Sequence, residues 1–275
     1  MKAASYIPDD LQSRSPLEQV WTRLDLVMDP ELDEPVTDMG FIEAVSITGP
    51  TTGHNISTVE ISFRLPTYWC SPNFAFLMAE SIKREVEVLP WVGQAVVMLQ
   101  DHMSAAEMNA AINAGASFGS VFEDLHPGED LSALREKFDV KAFQRRQEVV
   151  IKALIALGYT HEWLIDLTLA ELMEIAMPTA EDTRQTARYL AILQSKLLAR
   201  AANDRALPTY QGTPLTVDGF STYMGLLRSV RINMEFSGSL CRGLKASRYK
   251  QADLSGEVPI LVDVAPSEMP IYARP

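Results

Sequence analysis

The pattern that most restricts the fold is a pair of alternating segments separated by a turn. Residues 40–47 alternate in the manner of a β-strand, and residues 57–65 do so again. Glycines and a proline between them are typical turn residues. The two segments therefore predict a β-hairpin. Its second strand places four apolar side chains on one face: Val59, Ile61, Phe63 and Leu65.

Helical periodicity flanks this hairpin on both sides. Ser15 as N-cap, Pro16 at the first helical position and Glu18 predict a helix start, and apolar residues recur at helical spacing up to Val27. After the hairpin, a loop leads into a second helix that should end near Val88. The apolar run that follows is typical of a strand inside a sheet. The order helix-strand-strand-helix-strand predicts a small α/β (α+β) domain.

The rest of the chain has mostly helical periodicity, so we expect a mainly α-helical C-terminal region. Thr168 with Glu171, for example, predicts a capping box. The predicted helices cover residues 105–114, 131–158, 168–176, 180–202 and 217–235. The resulting domain organisation is a leader over 1–14, an α/β domain over 15–113, a helical domain over 131–235 and an irregular tail over 236–275.

Charge and cysteine content restrict the class of partner and the compartment. The chain of 275 residues has 36 acidic and 24 basic side chains, for a net charge of −12. This charge repels phosphate backbones and anionic lipids, so neither nucleic acid nor membrane is expected as a partner. The N-terminus lacks the apolar core of a secretory signal. Two cysteines do not make a disulfide framework, which favours a reducing cytoplasm.

Cys70 is the first candidate for chemistry because it lies in the loop between a strand and a helix. Unpaired N–H groups and the helix dipole at such a position lower the pKa of a thiol and favour the thiolate. Thiolate is the form that ligates metal ions or attacks an electrophile. The alternative is a buried structural cysteine, since free cysteines are among the most buried residues.

Three motifs in order accompany this cysteine: residues 29–32 (DPEL), residues 36–42 (VTDMGFI) and residues 66–71 (PTYWCS). Together they resemble the metal–sulfur cluster biosynthesis family, which includes SufT- and PaaD-like iron–sulfur assembly domains. The resemblance covers residues 15–113. It implies a role in assembling or delivering iron–sulfur clusters, or other metal centres, on client proteins.

The resemblance also assigns residues. The functional cysteine of the family corresponds to Cys70, and its conserved acid corresponds to Asp38. Thr67 matches the loop threonine, whose hydroxyl would cap the next helix or bond to the sulfur, and Ser71 follows the cysteine. Some relatives carry histidine immediately before the cysteine, where this chain has Trp69. An indole nitrogen has no lone pair for a metal ion.

One thiolate is not enough to hold a cluster, because iron–sulfur clusters and zinc ions normally take four ligands. Cys241 and His102 are further metal-ligand candidates within the chain. The alternatives are a solvent-side or tail-packing cysteine at Cys241 and a hydrogen-bonded surface pair of His102 with Asp101. Arg242 and Lys245 beside Cys241 should favour its thiolate form. No CxxC or HxxxH spacing is present, so we expect iron or an iron–sulfur cluster to be held transiently or shared with a partner. The remaining histidines that could assist are His54, His126 and His161.

The leading hypothesis is a maturation factor, not an enzyme, that acts through Cys70 on a client metalloprotein. A metal-dependent oxygenase is the client suggested by analogy with PaaD-like proteins. The helical region would then bind the client or a second copy of the chain. One alternative is a cysteine-dependent enzyme with Cys70 as nucleophile and His102 or His54 as base. Another is a structural scaffold without chemistry.

Overall fold

The structure is a computed structural model. It describes residue 11 and residues 13–51, 57–122, 131–248, 250–253 and 260–263, with side chains up to residue 248. The first elements in chain order are α1 (Pro16–Leu24), β1 (Met28–Asp29), β2 (Glu34–Pro35), β3 (Ile42–Thr48), β4 (Ser57–Arg64), α2 (Pro72–Val86), β5 (Val92–Gln100), α3 (Ala105–Ala114) and α4 (Phe118–Val121). The remaining elements are α5 (Ser132–Ala156), α6 (His161–Asp166), α7 (Leu169–Glu174), α8 (Ala180–Ser195), α9 (Val217–Arg248), β6 (Lys250–Asp253) and β7 (Ile260–Asp263).

The chain divides into two compact units. The first, which we call the α/β unit, comprises Met1–Ala133 and Gly238–Pro275. The second, the helical unit, is Leu134–Ser237. The predicted fold class, an α/β N-terminal region followed by a mainly helical region, is confirmed.

The predicted hairpin is present in the α/β unit. Strand β3 pairs antiparallel with β4, from Ile42 opposite Phe63 to Thr48 opposite Thr58. Most of the tip of the hairpin lies outside the described residues. The side chains that alternate along β4 on its inner face are completely buried, at 0–1% exposure (Val59, Ile61, Phe63, Leu65). Alternation in the sequence therefore identified the buried face correctly, because successive side chains of a strand point to opposite faces.

Helix α1 begins where its capping signals predict. The Ser15 side chain accepts a hydrogen bond from the Glu18 N–H, and the Glu18 carboxylate accepts one from the Ser15 N–H at 2.8 Å. This reciprocal pair satisfies two N–H groups that the helix leaves without partners. The apolar side of α1 is buried through Val20, Trp21 and Leu24.

Strand β5 does not have the internal position that we predicted for it. It pairs parallel with β4, and the order β3-β4-β5 leaves it at one edge of the described sheet. Two asparagines of α3 cover this edge. The side-chain amide of Asn109 bonds to both backbone groups of Leu99, at 2.7 and 3.1 Å, and that of Asn113 bonds to both of Val97, at 2.9 and 2.9 Å. They satisfy backbone groups that an edge strand would expose, which permits an apolar strand there.

The helical unit has its own apolar core, built around Phe143, Leu154, Tyr189 and Phe220. The predicted capping box is present, because Thr168 and Glu171 exchange hydrogen bonds at the start of α7. Helix α8 ends at Ser195, seven residues before the predicted end, and the short helix α6 was not predicted.

The prediction of an irregular tail from residue 236 is wrong for much of that segment. Helix α9 continues through Gly238 and Gly243 to Arg248, and β6 pairs antiparallel with β7. Two glycines weaken a helix by roughly 1 kcal/mol each, which long helices with tertiary contacts tolerate. None of the described helices has the length and apolar character needed to span a membrane.

Candidate functional site

Cys70 lies at the edge of the sheet where two parallel strands end. It follows β4 and precedes α2, whose N-cap is Ser71. Strand β5 ends at the same edge, since Arg64 pairs with Gln100. Open α/β sheets commonly bind ligands outside the carboxyl ends of their parallel strands.

His102, which follows β5, holds the Cys70 loop in place. Its Nδ1 accepts a hydrogen bond from the Ser104 N–H at 3.2 Å, so Nε2 carries the proton and donates to the Cys70 carbonyl at 2.7 Å. The next residue bonds to the loop as well, through the Met103 N–H and the Tyr68 carbonyl at 2.9 Å. His102 is 4% exposed, and burial lowers its pKa. Both ring nitrogens are occupied, so His102 acts here as a positioning residue and offers no lone pair to a metal ion or a thiol.

The thiol of Cys70 does not have the lowered pKa that its helix-start position predicts. Burial raises the pKa of Cys70 to about 12, and negative charge at Asp29 and Cys241 adds to the rise. The Ser71 N–H bonds to the sulfur and acts in the predicted direction, but it is outweighed. Desolvation disfavours any buried anion, and here it exceeds the effect of one N–H dipole. Cys70 is therefore a neutral thiol at pH 7.

Asp29, the first residue of the DPEL motif, is a member of the site that the sequence analysis did not single out. Its Oδ1 accepts hydrogen bonds from the N–H groups of Glu31 and Leu32, at 2.8 and 3.0 Å. The residue is 8% exposed, and burial raises its pKa to about 6. The motif itself was the available signal, because an aspartate two residues before a turn N–H is a standard turn-forming residue.

Cys241, far away in the sequence, shares this environment. Its charge acts on Cys70, and the carboxylates of Asp29 and Glu31 act on both thiols. The prediction that Arg242 favours its thiolate is only partly right. Arg242 does lower the pKa of Cys241, but burial and the carboxylates leave that pKa raised. The other predicted cation, Lys245, pairs instead with Glu43 at 2.9 Å.

Of the three supporting residues, Thr67 and Ser71 belong to the loop and act through their backbones, whereas Asp38 lies in a separate turn. Asp38 is exposed in the turn before β3, where Gly40 has a φ of 66° that favours glycine. Thr67 accepts the Cys70 N–H through its carbonyl at 3.4 Å. Its hydroxyl has no hydrogen-bond partner in the part of the chain that the structure describes. Ser71 is the N-cap of α2 without a side-chain capping bond.

The site offers donors of the kind that thiophilic metals bind, but no complete ligand set. Within the described residues, no three histidine, cysteine, aspartate or glutamate side chains are arranged to hold a metal ion. His54 and His126 lie outside the described residues. His161 belongs to the helical unit, where its ring stacks on Phe220 with the ring centres 4.4 Å apart.

A thiol in a loop at the carboxyl ends of two parallel strands, in a small α/β unit, defines a thiol-bearing α/β domain. The family model described as iron–sulfur cluster assembly protein matches residues 17–97. The resemblance predicted from the three motifs is thereby confirmed, and it links the α/β unit to iron–sulfur cluster assembly in general terms. The matched segment includes Asp29 and Cys70 but neither His102 nor Cys241. No curated protein and no solved structure matches the chain.

Proposed function

We propose that this protein is a carrier in iron–sulfur cluster assembly, with Cys70 binding iron or a cluster transiently before transfer to a client metalloprotein. The observation that carries the proposal is the family match over residues 17–97, which contains Cys70 at the carboxyl ends of β4 and β5. Cysteines that remain thiols imply a reducing compartment such as the cytoplasm.

The protonation state of Cys70 supports cargo binding in preference to covalent catalysis. A thiol with a pKa of about 12 is almost fully protonated at neutral pH and is a poor nucleophile. A metal ion can displace that proton, so binding should release protons and weaken as the pH falls. Because the proton competes with the metal ion for the sulfur, such a thiol also releases its cargo more readily than a stable thiolate would.

The surface beside Cys70 has the composition of a protein-binding site. Trp69 is 70% exposed, and Tyr68 and Met103 are 46% and 47% exposed. Tryptophan, tyrosine and methionine are enriched at the centres of protein interfaces, and exposed apolar groups that cluster mark interaction sites. We assign this patch, Tyr68, Trp69 and Met103, to client binding. A metal-dependent oxygenase as the client remains a prediction by family analogy.

The enzyme alternative finds no support at the site. His102 uses both ring nitrogens for backbone hydrogen bonds, and His54 lies outside the described residues. A nucleophilic cysteine needs a base within hydrogen-bond reach. If Cys70 were such a nucleophile, its alkylation rate at pH 7 would equal or exceed that of free cysteine. We expect a rate at least tenfold lower, in keeping with its raised pKa.

Anaerobic reconstitution with ferrous iron and sulfide tests the proposal. We expect Cys70→Ser to retain roughly tenfold less iron than the wild type, since loss of a ligand exceeds the loss of a supporting residue. Ser221→Ala, at an exposed serine of the helical unit, is the control and should retain iron normally. Equal iron in wild type and Cys70→Ser would refute the carrier function and leave the scaffold alternative.

Cluster transfer to an apo-ferredoxin, used as a model client, tests whether the patch of Tyr68, Trp69 and Met103 binds the client. Truncation of a central aromatic residue typically costs about 2 kcal/mol of binding, so Trp69→Ala should slow transfer by about tenfold or more. Met173→Ala removes an equally exposed apolar side chain (64%) from the helical unit and should leave the rate unchanged. Equal slowing in both variants would contradict the assignment of the patch.

A further inference from the structure

The last turns of α9, Gly238–Arg248, belong to the α/β unit and contact its N-terminal part through a row of ion pairs. Arg242 pairs with Glu34, Lys245 with Glu43 at 2.9 Å, and Arg248 with Asp101 at 2.8 Å. The three basic residues follow one another at intervals of three, so they share one side of the helix.

Near Gly238 the helix lies close to Glu34 of β2. A Cβ there would stand 3.5 Å from Glu34 Oε1 and 3.3 Å from the Arg242 guanidinium. Arg242 also reaches Met39, with Nη1 and Sδ 3.3 Å apart. Since Glu34 pairs with Asp29 across β1 and β2, these contacts bring this part of α9 to the strand that carries the buried Asp29.

Cys241 lies in this segment, immediately before Arg242, and is half-buried. Lys245 and Arg248 follow Cys241 by four and seven residues, so Cys241 lies on the side of α9 that pairs with Glu43 and Asp101. The charge of Asp29 acts on both thiols, and that of Cys241 acts on Cys70. Arg242 is the cation that offsets part of this charge at Cys241.

We propose that Cys241 is a second cysteine ligand for the cargo of Cys70, so that α9 and the loop after β4 hold the metal between them. This inference rests on the proposed carrier function. Iron and iron–sulfur clusters favour thiolate ligands. Two cysteines from this chain leave coordination positions for sulfide, a small thiol or the client. That arrangement suits a cargo that must leave.

A trivalent arsenical tests the thiol pair without iron. Phenylarsine oxide condenses with two neighbouring thiols: two As–S bonds form, the oxygen leaves as water with the two thiol protons, and arsenic stays trivalent. We expect the wild type to bind one arsenical per chain at least tenfold more tightly than Cys70→Ser or Cys241→Ser. Wild-type affinity equal to that of either single variant would overturn the inference.

Iron reconstitution separates the two proposals. We expect Cys241→Ser to lose bound iron to a chelator at least tenfold faster than the wild type. Ser239→Ala, an exposed neighbour in the same helix, should lose it at the wild-type rate. If Cys70→Ser loses iron and Cys241→Ser holds it like the wild type, the second ligand is refuted and the carrier function stands. If Cys70→Ser holds iron normally, the carrier function itself fails, even where the arsenical bridges both thiols.

Discussion

The buried polar groups in the core of the helical unit and those around Cys70 in the α/β unit differ in how their charges and hydrogen bonds are balanced. In the helical unit, Gln147 is completely buried and donates hydrogen bonds to the Tyr189 hydroxyl at 2.9 Å and to the Pro208 carbonyl at 2.7 Å. It also accepts one from the Tyr223 hydroxyl at 2.5 Å. Nearby, the buried carboxylate of Glu148 pairs with Arg231 at 2.9 Å. The amide of Gln147 is therefore fully hydrogen-bonded, and the charge of Glu148 is paired.

In the α/β unit, the buried groups around Cys70 have their charged forms disfavoured. Burial raises the pKa values of Asp29 and Cys70, and nearby negative charge adds to each rise, from Glu31 and Glu34 at Asp29 and from Asp29 and Cys241 at Cys70. A closed polar network stabilises one packed core, whereas a buried carboxylate whose charged form is disfavoured is maintained at the expense of stability. The first set therefore has a structural role, and the second fits the ligand-binding role proposed above.

The largest expected effect on stability comes from the hydrogen-bond network around Gln147. Gln147→Ala leaves the Pro208 carbonyl and the Tyr223 hydroxyl without their partner and opens a cavity, so the free energy of unfolding should fall by about 4 kcal/mol. Urea denaturation measures it. Gln194→Ala, an exposed glutamine on α8, should change the stability by less than about 0.5 kcal/mol. A loss below about 1 kcal/mol for Gln147→Ala would show that the network is not structural.

Asp29→Asn should raise the free energy of unfolding, whereas Gln147→Ala lowers it. The asparagine oxygen can accept the same two N–H bonds without a buried charge. The rise in the pKa of Asp29 from 3.8 to about 6 corresponds to roughly 3 kcal/mol, so the variant should be more stable by that order at pH 7. Because the folded-state pKa is raised, the wild type loses this stability as the pH rises from about 4 through 6.

Thermal unfolding across that pH range checks the Asp29 prediction. The difference between Asp29→Asn and wild type should vanish below pH 4 and be largest above pH 6. Asp38→Asn, an exposed turn residue in the same motif region, is the control and should show little gain. A destabilised Asp29→Asn at pH 7 would mean that the carboxylate is a structural group like Glu148.

His102→Ala should lower stability by about 2 kcal/mol, because the Cys70 carbonyl and the Ser104 N–H both lose a buried partner. Burial lowers the pKa of His102 below its ordinary value of 6.5. The wild type should therefore lose stability as the pH falls through about 6.5, and the variant should lack this loss. Faster alkylation of Cys70 in His102→Ala would show that the histidine positions the loop; an unchanged rate would contradict that role.

The smallest effect on stability is expected from the ion pairs of α9. Arg242 is partly exposed, so Arg242→Ala should reduce stability by less than about 1 kcal/mol, and salt at about 1 M should remove the difference. Arg228→Ala, an exposed arginine on the same helix, should be neutral. A loss that persists in high salt would indicate packing by the Arg242 side chain in place of charge pairing.

Local signals accounted for much of the fold. The capping box at Ser15 and Glu18, the hairpin and the helix after Cys70 follow from residues that are neighbours in the sequence. The edge position of β5 did not follow, because its apolar pattern is that of an internal strand. The two asparagines that complete it lie on a later helix, and their hydrogen bonds depend on how α3 packs. The continuation of α9 past Gly238 likewise depends on contacts with Glu34, Glu43 and Asp101.

The sequence by itself determined the α/β character of the N-terminal region and the relationship to iron–sulfur assembly, and it predicted Cys70 as the functional residue. Each of these rests on patterns among residues that are close in the sequence, such as strand alternation, helix capping and short motifs. Their physical causes act between neighbouring residues. Only the tertiary structure decided that Cys241 lies in the environment of Cys70, that Asp29 is buried beside them and that the pKa of Cys70 is raised. Desolvation depends on every group packed around an atom, and those groups come from segments far apart in the chain.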